Sequence, residues 1–564
     1  MSAKRIVIVG GSAAGPKAAA RAKRLDPGAR VTLVQMGESL SMASCGYPYY
    51  LSGVFEDRGL LISTPTGEIR DPAFFASAKG VTALTRTLAE DIDRTAKRLT
   101  CRNLDTGQRL ELEYDKLILC TGSTPFVPDI AGRELAGVAT LHGLADADAL
   151  KEECREAMGK RAVIAGGGLI GLETCEALTT QGFQVVVAEA APHVLAFLDP
   201  ELAMLLENYL RAKGVRLLLS TAVTAFTGEN DRLRAVRLSN GEELACDLAV
   251  VAVGARPNVD LAKSAGLEIG ITGGISVDAF LKTSDPCIYA AGDCIETVHR
   301  IGGHKTLAPY GDLANLEGRV AGENAALGDR VRFPGTVHSR ICKVFGFTAG
   351  STGLSHAEAL AAGFDAISVV NAGPDKPGFM DGKLLVSKIT ADAASGRLLG
   401  FACLGPGNVN RQLAQAAMAL MGELTLSDLA TADLPYAPPY SPAVDHLIVA
   451  AHILENKLAG RLRGITSIQA KARFDGPKPP FSLDVREESE QRQMRLGVGE
   501  TLIPIGRLRE SPGLLPKNKK REIVCYCKVS MRGYEAQVVL GDLGYENVNV
   551  MEGGIMAWPF GRAK

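Results

Sequence analysis

The sequence predicts a multi-domain α/β protein, and three observations predict it. Near the start of the chain a glycine-rich turn joins an apolar strand to an Ala-rich helix, and the same design recurs further on. Short apolar runs, each ending in a glycine turn, follow both copies. Near the C-terminus a proline- and glycine-rich break precedes a fresh alternation of strands and a helix. At 564 residues, with 46% hydrophobic and 22% charged, the chain has an ordinary globular balance, enough for roughly three to five domains. A net charge of −1 offers no bulk attraction for nucleic acid or membrane. The apolar run Ile6–Val9 is too short for a signal peptide, and no run approaches the roughly 20 residues of a membrane span. The twelve cysteines are scattered without metal-ligand spacing. That pattern predicts a cytoplasmic protein with reduced thiols and no metal.

Arg5–Val9 reads as a strand, Gly10-Gly11-Ser12-Ala13-Ala14-Gly15 as the turn, 16–25 as a helix and 31–34 as the next strand. This is a dinucleotide fingerprint of the Rossmann type. Gly10 permits the tight turn, Gly15 permits close helix–strand packing, and N–H groups at the helix start can meet a pyrophosphate. The middle glycine position holds Ser12. The ribose-facing acidic position holds Gln35, whose amide still suits a hydroxyl. The second copy is complete: strand 161–165, then Gly166-Gly-Gly168-Leu-Ile-Gly171, helix 172–181 and strand 184–188 ending at Glu189. An acidic residue there suits a ribose 2′-hydroxyl and repels a 2′-phosphate, which predicts NADH, with NADPH as the alternative. Three further strand-and-turn segments are candidate parts of the cofactor sites. They end at Thr121-Gly122, at Gly254 and at Gly292-Asp293, where the aspartate suits a ribityl or phosphate group.

Between these segments lies Ser41-Met-Ala-Ser44-Cys45-Gly-Tyr-Pro-Tyr-Tyr50. A thiolate beside an oxidised flavin can exchange electrons with it and can attack sulfur in a substrate. By itself Cys45 reads first as a small buried apolar residue, the commoner state of a free cysteine.

Taken together, residues 4–450 resemble the flavoprotein pyridine-nucleotide disulfide reductases. The resemblance implies a FAD-binding domain over 1–148 and 263–328, an NAD-binding domain over 149–262, and an α+β dimerisation domain over 329–452, in a homodimer. Two-cysteine members use Cys-x4-Cys, whereas here the next cysteine is Cys101, so the single-cysteine branch fits. Within it, Ser-x-x-x-Cys-Gly-x-Pro-Tyr is similar to coenzyme A-disulfide and coenzyme A-persulfide reductases. Those usually carry Asn before the cysteine, where this chain has Ser44. Peroxide- and oxygen-reducing relatives carry His in the first glycine-rich loop, where this chain has Ala13. Leu434-Pro-Tyr436-Ala-Pro-Pro-Tyr440-Ser-Pro442 is a stiff loop presenting two phenols. Interface packing is the commoner use of such aromatics. The resemblance implies that Tyr436 serves the partner subunit's cysteine. His446 and His452 read as residues of a helix over 444–454. A second family tyrosine, before a Pro-Gly, is Lys376 here.

Coenzyme A needs a basic contact for its phosphates. Lys17, Arg21 and Arg24 share one face of the first helix at spacings of three and four. They are candidates, or else a solvated face, and the hydroxyls of Ser41 and Ser44 are near in sequence to Cys45.

Residues 453–478 read as a linker, ending in Asp475-Gly-Pro-Lys-Pro-Pro480. Beyond it, 481–486 and 521–527 read as strands, 533–543 as a helix and 545–550 as a strand. A cysteine at a strand end, looped onto a helix N-terminus, faces converging N–H groups that stabilise a thiolate or persulfide. Lys528 and Arg532 add charge. Residues 479–564 resemble an α/β rhodanese domain, with Cys527 the sulfur-carrying residue. Family loops commonly have Gly three residues after that cysteine, where this chain has Ser530. Cys525 falls on the same strand face as Cys527. The combined expectation is an NADH-dependent, FAD-containing reductase of coenzyme A disulfide, persulfide or polysulfide. Two alternatives are an NADH oxidase or peroxidase cycling through a cysteine sulfenic acid, and a non-catalytic redox or sulfur-relay sensor.

Overall fold

The structure is a computed structural model that describes residues 3–563. It divides into two compact units, one holding the chain up to Ala190 with Thr221–Thr336, the other Ala191–Ser220 with the chain from Val337 onward. No helix among the described residues is long and apolar enough to cross a membrane.

In the first unit, parallel strands lie in the order Ile288–Ala290, Lys116–Leu119, Arg5–Val9, Arg30–Val34 and Thr82–Leu84. Arg5–Val9 is buried from Ile6 on, as a strand covered on both faces must be. Its helix runs Ala14–Leu25, two residues earlier than the sequence reading. Pro16 falls in the first turn, where a missing N–H breaks no intrahelical bond. Helix Gly311–Leu327 lies directly against it. A Cβ at Gly318 would come within 2.2 Å of the Ala14 carbonyl oxygen, and one at Gly322 within 2.4 Å of that of Ala18. Two glycines one helical turn apart thus set this close contact.

The second nucleotide-binding sheet has parallel strands in the order Gln184–Ala188, Arg161–Ala165, Leu248–Val251 and Val138–Ala139. Its helix, Leu169–Thr180, takes in Gly171. Antiparallel strands Ser123–Pro125 and Ala255–Pro257 pair beside the two glycine turns at Gly122 and Gly254.

The second unit carries an antiparallel sheet in the order Arg340–Val344, Phe347–Gly353, Leu398–Gly405, Leu384–Asp392 and Ala366–Pro374. Helices Val409–Met421 and His446–Leu458 pack on it. The second begins at His446, not at Val444, because the Asp445 carboxylate accepts from the Leu447 N–H at 3.1 Å and caps it. His446 is buried beside the Ser387 hydroxyl at 2.8 Å, and burial pushes its pKa down to about 4. The unfolded chain takes a proton there near 6.5 and the folded one does not, so this contribution is present above that pH and fades as pH falls toward 4. The shift corresponds to about 3 kcal/mol. Urea titrations at pH 7 and pH 4.5 are expected to show His446→Gln losing less stability on acidification than the parent.

The second unit also contains a parallel sheet in the order Gly464–Ile465, Val548–Met551, Ile523–Tyr526, Phe481–Asp484 and Thr501–Leu502. Residues 453–478, expected as a linker, are therefore structured. They hold the end of helix His446–Leu458, the edge strand Gly464–Ile465 and helix Ser467–Phe474, capped by Thr466. The breaker cluster marks only the turn after that helix.

Candidate active site

Both glycine-rich turns form cradles that a side chain would fill. Gly10 has φ 107°, and a Cβ there would lie 1.9 Å from the Cys120 carbonyl oxygen. A Cβ at Gly15 would lie 1.8 Å from the Gly10 oxygen. Gly166 and Gly171 repeat the arrangement, with φ 107° at the first and a Cβ 2.1 Å from the Gly166 oxygen at the second. Neither following helix has a side-chain cap or an acidic residue in its first turn, so each leaves N–H groups for an anionic pyrophosphate. Gln35 Oε1 accepts from the Gly11 N–H at 2.9 Å, and Glu189 Oε2 accepts from the Gly167 N–H at 2.5 Å. The two residues brace equivalent positions of the two loops. The donor sets fit two dinucleotides.

Around the first cradle, Gly122 and Gly292 have φ 69° and 84°. The Thr121 hydroxyl donates to the Asn258 carbonyl at 2.6 Å, and the Ser123 hydroxyl to Asp293 at 3.0 Å. Burial raises the Asp293 pKa. Glu317 is buried, accepts from the Gly292 N–H at 2.8 Å, and is pushed up to about 8 by burial. Sequence reading passed over Glu317, because a lone acid inside a helix carries no local signal.

Cys45 sits on the 3-10 turn Ser44–Gly46, which leads into helix Tyr47–Ser52 with Pro48 in its first turn. Gly46 leaves room for the Leu61 side chain, whose end would lie 2.4 Å from a Cβ there. Of the twelve free cysteines Cys45 alone is exposed, and Cys101 is deep in the core. A Cβ at Gly311 would lie 3.6 Å from the Cys45 sulfur, so the start of helix Gly311–Leu327 borders the thiol and its dipole favours a thiolate. Although the residue is exposed overall, partial desolvation of its sulfur by the surrounding protein, then the Glu173 and Asp312 carboxylates, push the thiol pKa up, against a bond from Ser44 that lowers it. Glu173 is itself raised to about 7 by burial. Neither acid was singled out from sequence, since each is distant from Cys45 along the chain.

The basic face is not three free cations. The Arg21 Nε donates to Glu323 at 3.0 Å on the neighbouring helix, while Lys17 and Arg24 are exposed. The Ser41 hydroxyl accepts from Arg70 at 3.3 Å. Arg70, whose pKa burial lowers, is a guanidinium near the cysteine loop that sequence reading missed. In the second unit, Tyr436 and Tyr440 are 52% and 68% exposed on an irregular loop that turns at Pro438–Tyr440. Arg411 fixes that loop, donating to the Tyr440 carbonyl at 2.7 Å.

The Cys527 loop runs from strand Ile523–Tyr526 to helix Met531–Asp542. The Ser530 N–H donates to the Cys527 sulfur at 3.2 Å. Arg532 pairs with Glu490 at 2.7 Å, drawing that carboxyl down to about 2. The sulfur and Glu490 together raise the Arg532 pKa, the Glu490 bond foremost. Lys528 is exposed. Cys525 and Cys527 share one core cluster, and burial pushes the Cys525 thiol far up. Ser530 has φ 95°, a conformation that glycine adopts without strain and serine does not. Ser530→Gly is expected to stabilise this domain by about 1 kcal/mol, read as a higher urea midpoint of the fluorescence of Trp558, the chain's single tryptophan.

The family profile for pyridine nucleotide-disulphide oxidoreductases matches residues 4–308. That family's dimerisation domain matches 340–448, and a rhodanese-like domain matches 467–559. The chain is 34% identical over 455 residues to an NAD(P)H coenzyme A polysulfide/persulfide reductase of Pyrococcus horikoshii, covering 80% of this chain and 98% of that protein. It is 31% identical over 465 residues to a Methanocaldococcus jannaschii protein named NADH oxidase, covering 81% of this chain and 100% of that one. Among solved structures, a NAD-dependent persulfide reductase from A. fulgidus superposes with a TM-score of 0.93 at 39% identity, over 98% of this chain and 100% of that one. With two fitting cradles and these matches, FAD and NADH are the cofactors. The chain belongs to the pyridine nucleotide-disulphide oxidoreductases.

Proposed function

We propose that this oxidoreductase reduces coenzyme A persulfide, polysulfide or coenzyme A disulfide at Cys45 and handles sulfane sulfur at Cys527. One observation carries the reading: a single exposed thiol borders a helix N-terminus in the flavin unit, in a chain that also holds a buried thiol receiving an N–H bond. A relative aligned over 455 residues, 80% of this chain, is named for coenzyme A polysulfide and persulfide reduction.

FAD, when bound, passes the two electrons of NADH on to sulfur. The Cys45 thiolate attacks the inner sulfur of a persulfide, forming a mixed disulfide and expelling hydrosulfide. Two electrons then cleave that disulfide, returning the Cys45 thiolate and a free thiol. Overall, NADH, a proton and the persulfide give NAD+, the thiol and hydrogen sulfide. Glu173 titrates near neutrality beside this step. Tyr436 of the partner subunit protonates the leaving sulfur, with Tyr440 beside it on the same Arg411-braced loop. The matched dimerisation domain supports a homodimer. Lys17, Arg24 and the Ser44 hydroxyl receive the coenzyme, with Arg21 and Ser41 already engaged by Glu323 and Arg70. The Cys527 thiolate or persulfide is held by the Ser530 N–H, Lys528 and Arg532. The reaction belongs in the cytoplasm, where twelve free thiols stay reduced.

The test compares NADH oxidation and sulfide release with coenzyme A persulfide, coenzyme A disulfide, oxygen and peroxide. Sulfur acceptors are expected to turn over fastest. Faster turnover of oxygen or peroxide would sink the reading and favour an oxidase.

A further inference from the structure

We propose that Glu552 is a positioning residue for Cys527, holding the sulfur loop in shape by anchoring it to the neighbouring antiparallel domain. The inference rests on Cys527 being the sulfur carrier.

Glu552 follows strand Val548–Met551 and is 2% exposed. Its two oxygens reach out of its own domain. Oε1 pairs with Lys457 at 2.6 Å, on helix His446–Leu458, and Oε2 accepts from the Val370 N–H at 3.0 Å, on the edge strand Ala366–Pro374. Lys457 in turn donates to the Ser368 carbonyl at 2.8 Å. Room for the carboxylate depends on Gly464, where a Cβ would lie 2.3 Å from Oε1.

The residues just after Glu552 grip the Cys527 loop. The Ile555 N–H donates to the Cys527 carbonyl at 2.9 Å, and the Met556 N–H to that of Lys528 at 3.2 Å. Gly554 must be glycine, since a Cβ would lie 2.5 Å from the Cys527 oxygen. Val529, on the loop itself, packs with Val370, Val386 and Ala557. Both loop carbonyls are therefore fixed by the turn that follows Glu552. One peptide further along the loop, the Ser530 N–H donates to Cys527 Sγ. A thiolate or persulfide is stabilised by that bond. Glu552 touches no reacting atom and acts through the Gly553–Met556 turn.

The probe reaction is sulfur transfer from thiosulfate to cyanide by the full-length holoenzyme. Cys–S⁻ takes the outer sulfur, becoming Cys–S–S⁻ as sulfite leaves, and cyanide then removes that sulfur as thiocyanate. Glu552→Ala is expected to lower kcat ten- to a hundredfold, on the order of the cost of a misplaced reacting group. KM should stay within about twofold, and the acid limb of the kcat–pH profile should move up by about one unit. Glu552→Gln keeps an acceptor for the Val370 N–H and should recover part of both. A Glu552→Ala enzyme with a lowered melting temperature but parental kcat and pH profile would overturn the proposal. Should that variant fail to fold, Lys457→Met loosens the same anchor from the other side, and an unmoved profile there is equally fatal. Cys527→Ser separates the two ideas: transfer surviving it refutes the sulfur-carrier reading.

Discussion

Cys45→Ser is expected to cut turnover of coenzyme A persulfide and disulfide by about 10³-fold or more, the usual loss when a covalent nucleophile is removed. The substitution changes one atom at a site whose backbone is fixed by other residues. Gly46 makes room for Leu61, and the Gly46 N–H donates to the Ala43 carbonyl at 2.9 Å. NADH should therefore still bleach the flavin at the parental rate, since neither glycine cradle includes Cys45. Stopped-flow absorbance separates the two half-reactions. Turnover within tenfold of the parent would remove Cys45 from the chemistry, because no other thiol among the described residues is exposed.

Asp484→Ala should cost the C-terminal domain about 3–5 kcal/mol, the penalty for stranding a buried charge. Asp484 is 0% exposed and Arg486 2%. Its carboxylate accepts from Arg486 Nη2 at 2.7 Å, from Nε at 2.9 Å and from the Arg486 backbone N–H at 3.1 Å. Arg486 also donates to the Met494 carbonyl at 2.7 Å, so the pair ties strand Phe481–Asp484 to the segment after it. Against total stabilities of about 5–15 kcal/mol, the loss should be visible as early melting of Trp558 fluorescence. Asp484→Ala/Arg486→Met, which leaves no orphan charge, should recover much of it. A single variant that melts with the parent would show that the pair contributes little.

What sequence disclosed and what it hid divide along a physical line. The cradles at Gly10 and Gly166 were readable because their requirement is local: a turn, a positive φ and a helix start lie within a few residues. Cys45 and Cys527 drew attention through the resemblance of the segments around them, since a lone cysteine carries no local requirement of its own. The acids that tune Cys45 were not readable, because Glu173 and Asp312 come to it from different helices. Glu323 was invisible as the partner that occupies Arg21. The edge strand Gly464–Ile465 was hidden by brevity, since two residues show no period and only pairing with Val550 and Met551 defines them. Ser530 stood out in sequence as a serine at a glycine position, and its φ of 95° is what that exchange costs in the folded loop.

Gln35 and Glu189 brace their loops in the same way, yet only one is ionic. Ionic strength should then act on one of the two braces alone. Added salt screens the Glu189 carboxylate and should narrow the margin by which a dinucleotide without a 2′-phosphate outcompetes one that carries it. The grip of Gln35 on its own loop, an uncharged amide, should be indifferent to the same salt.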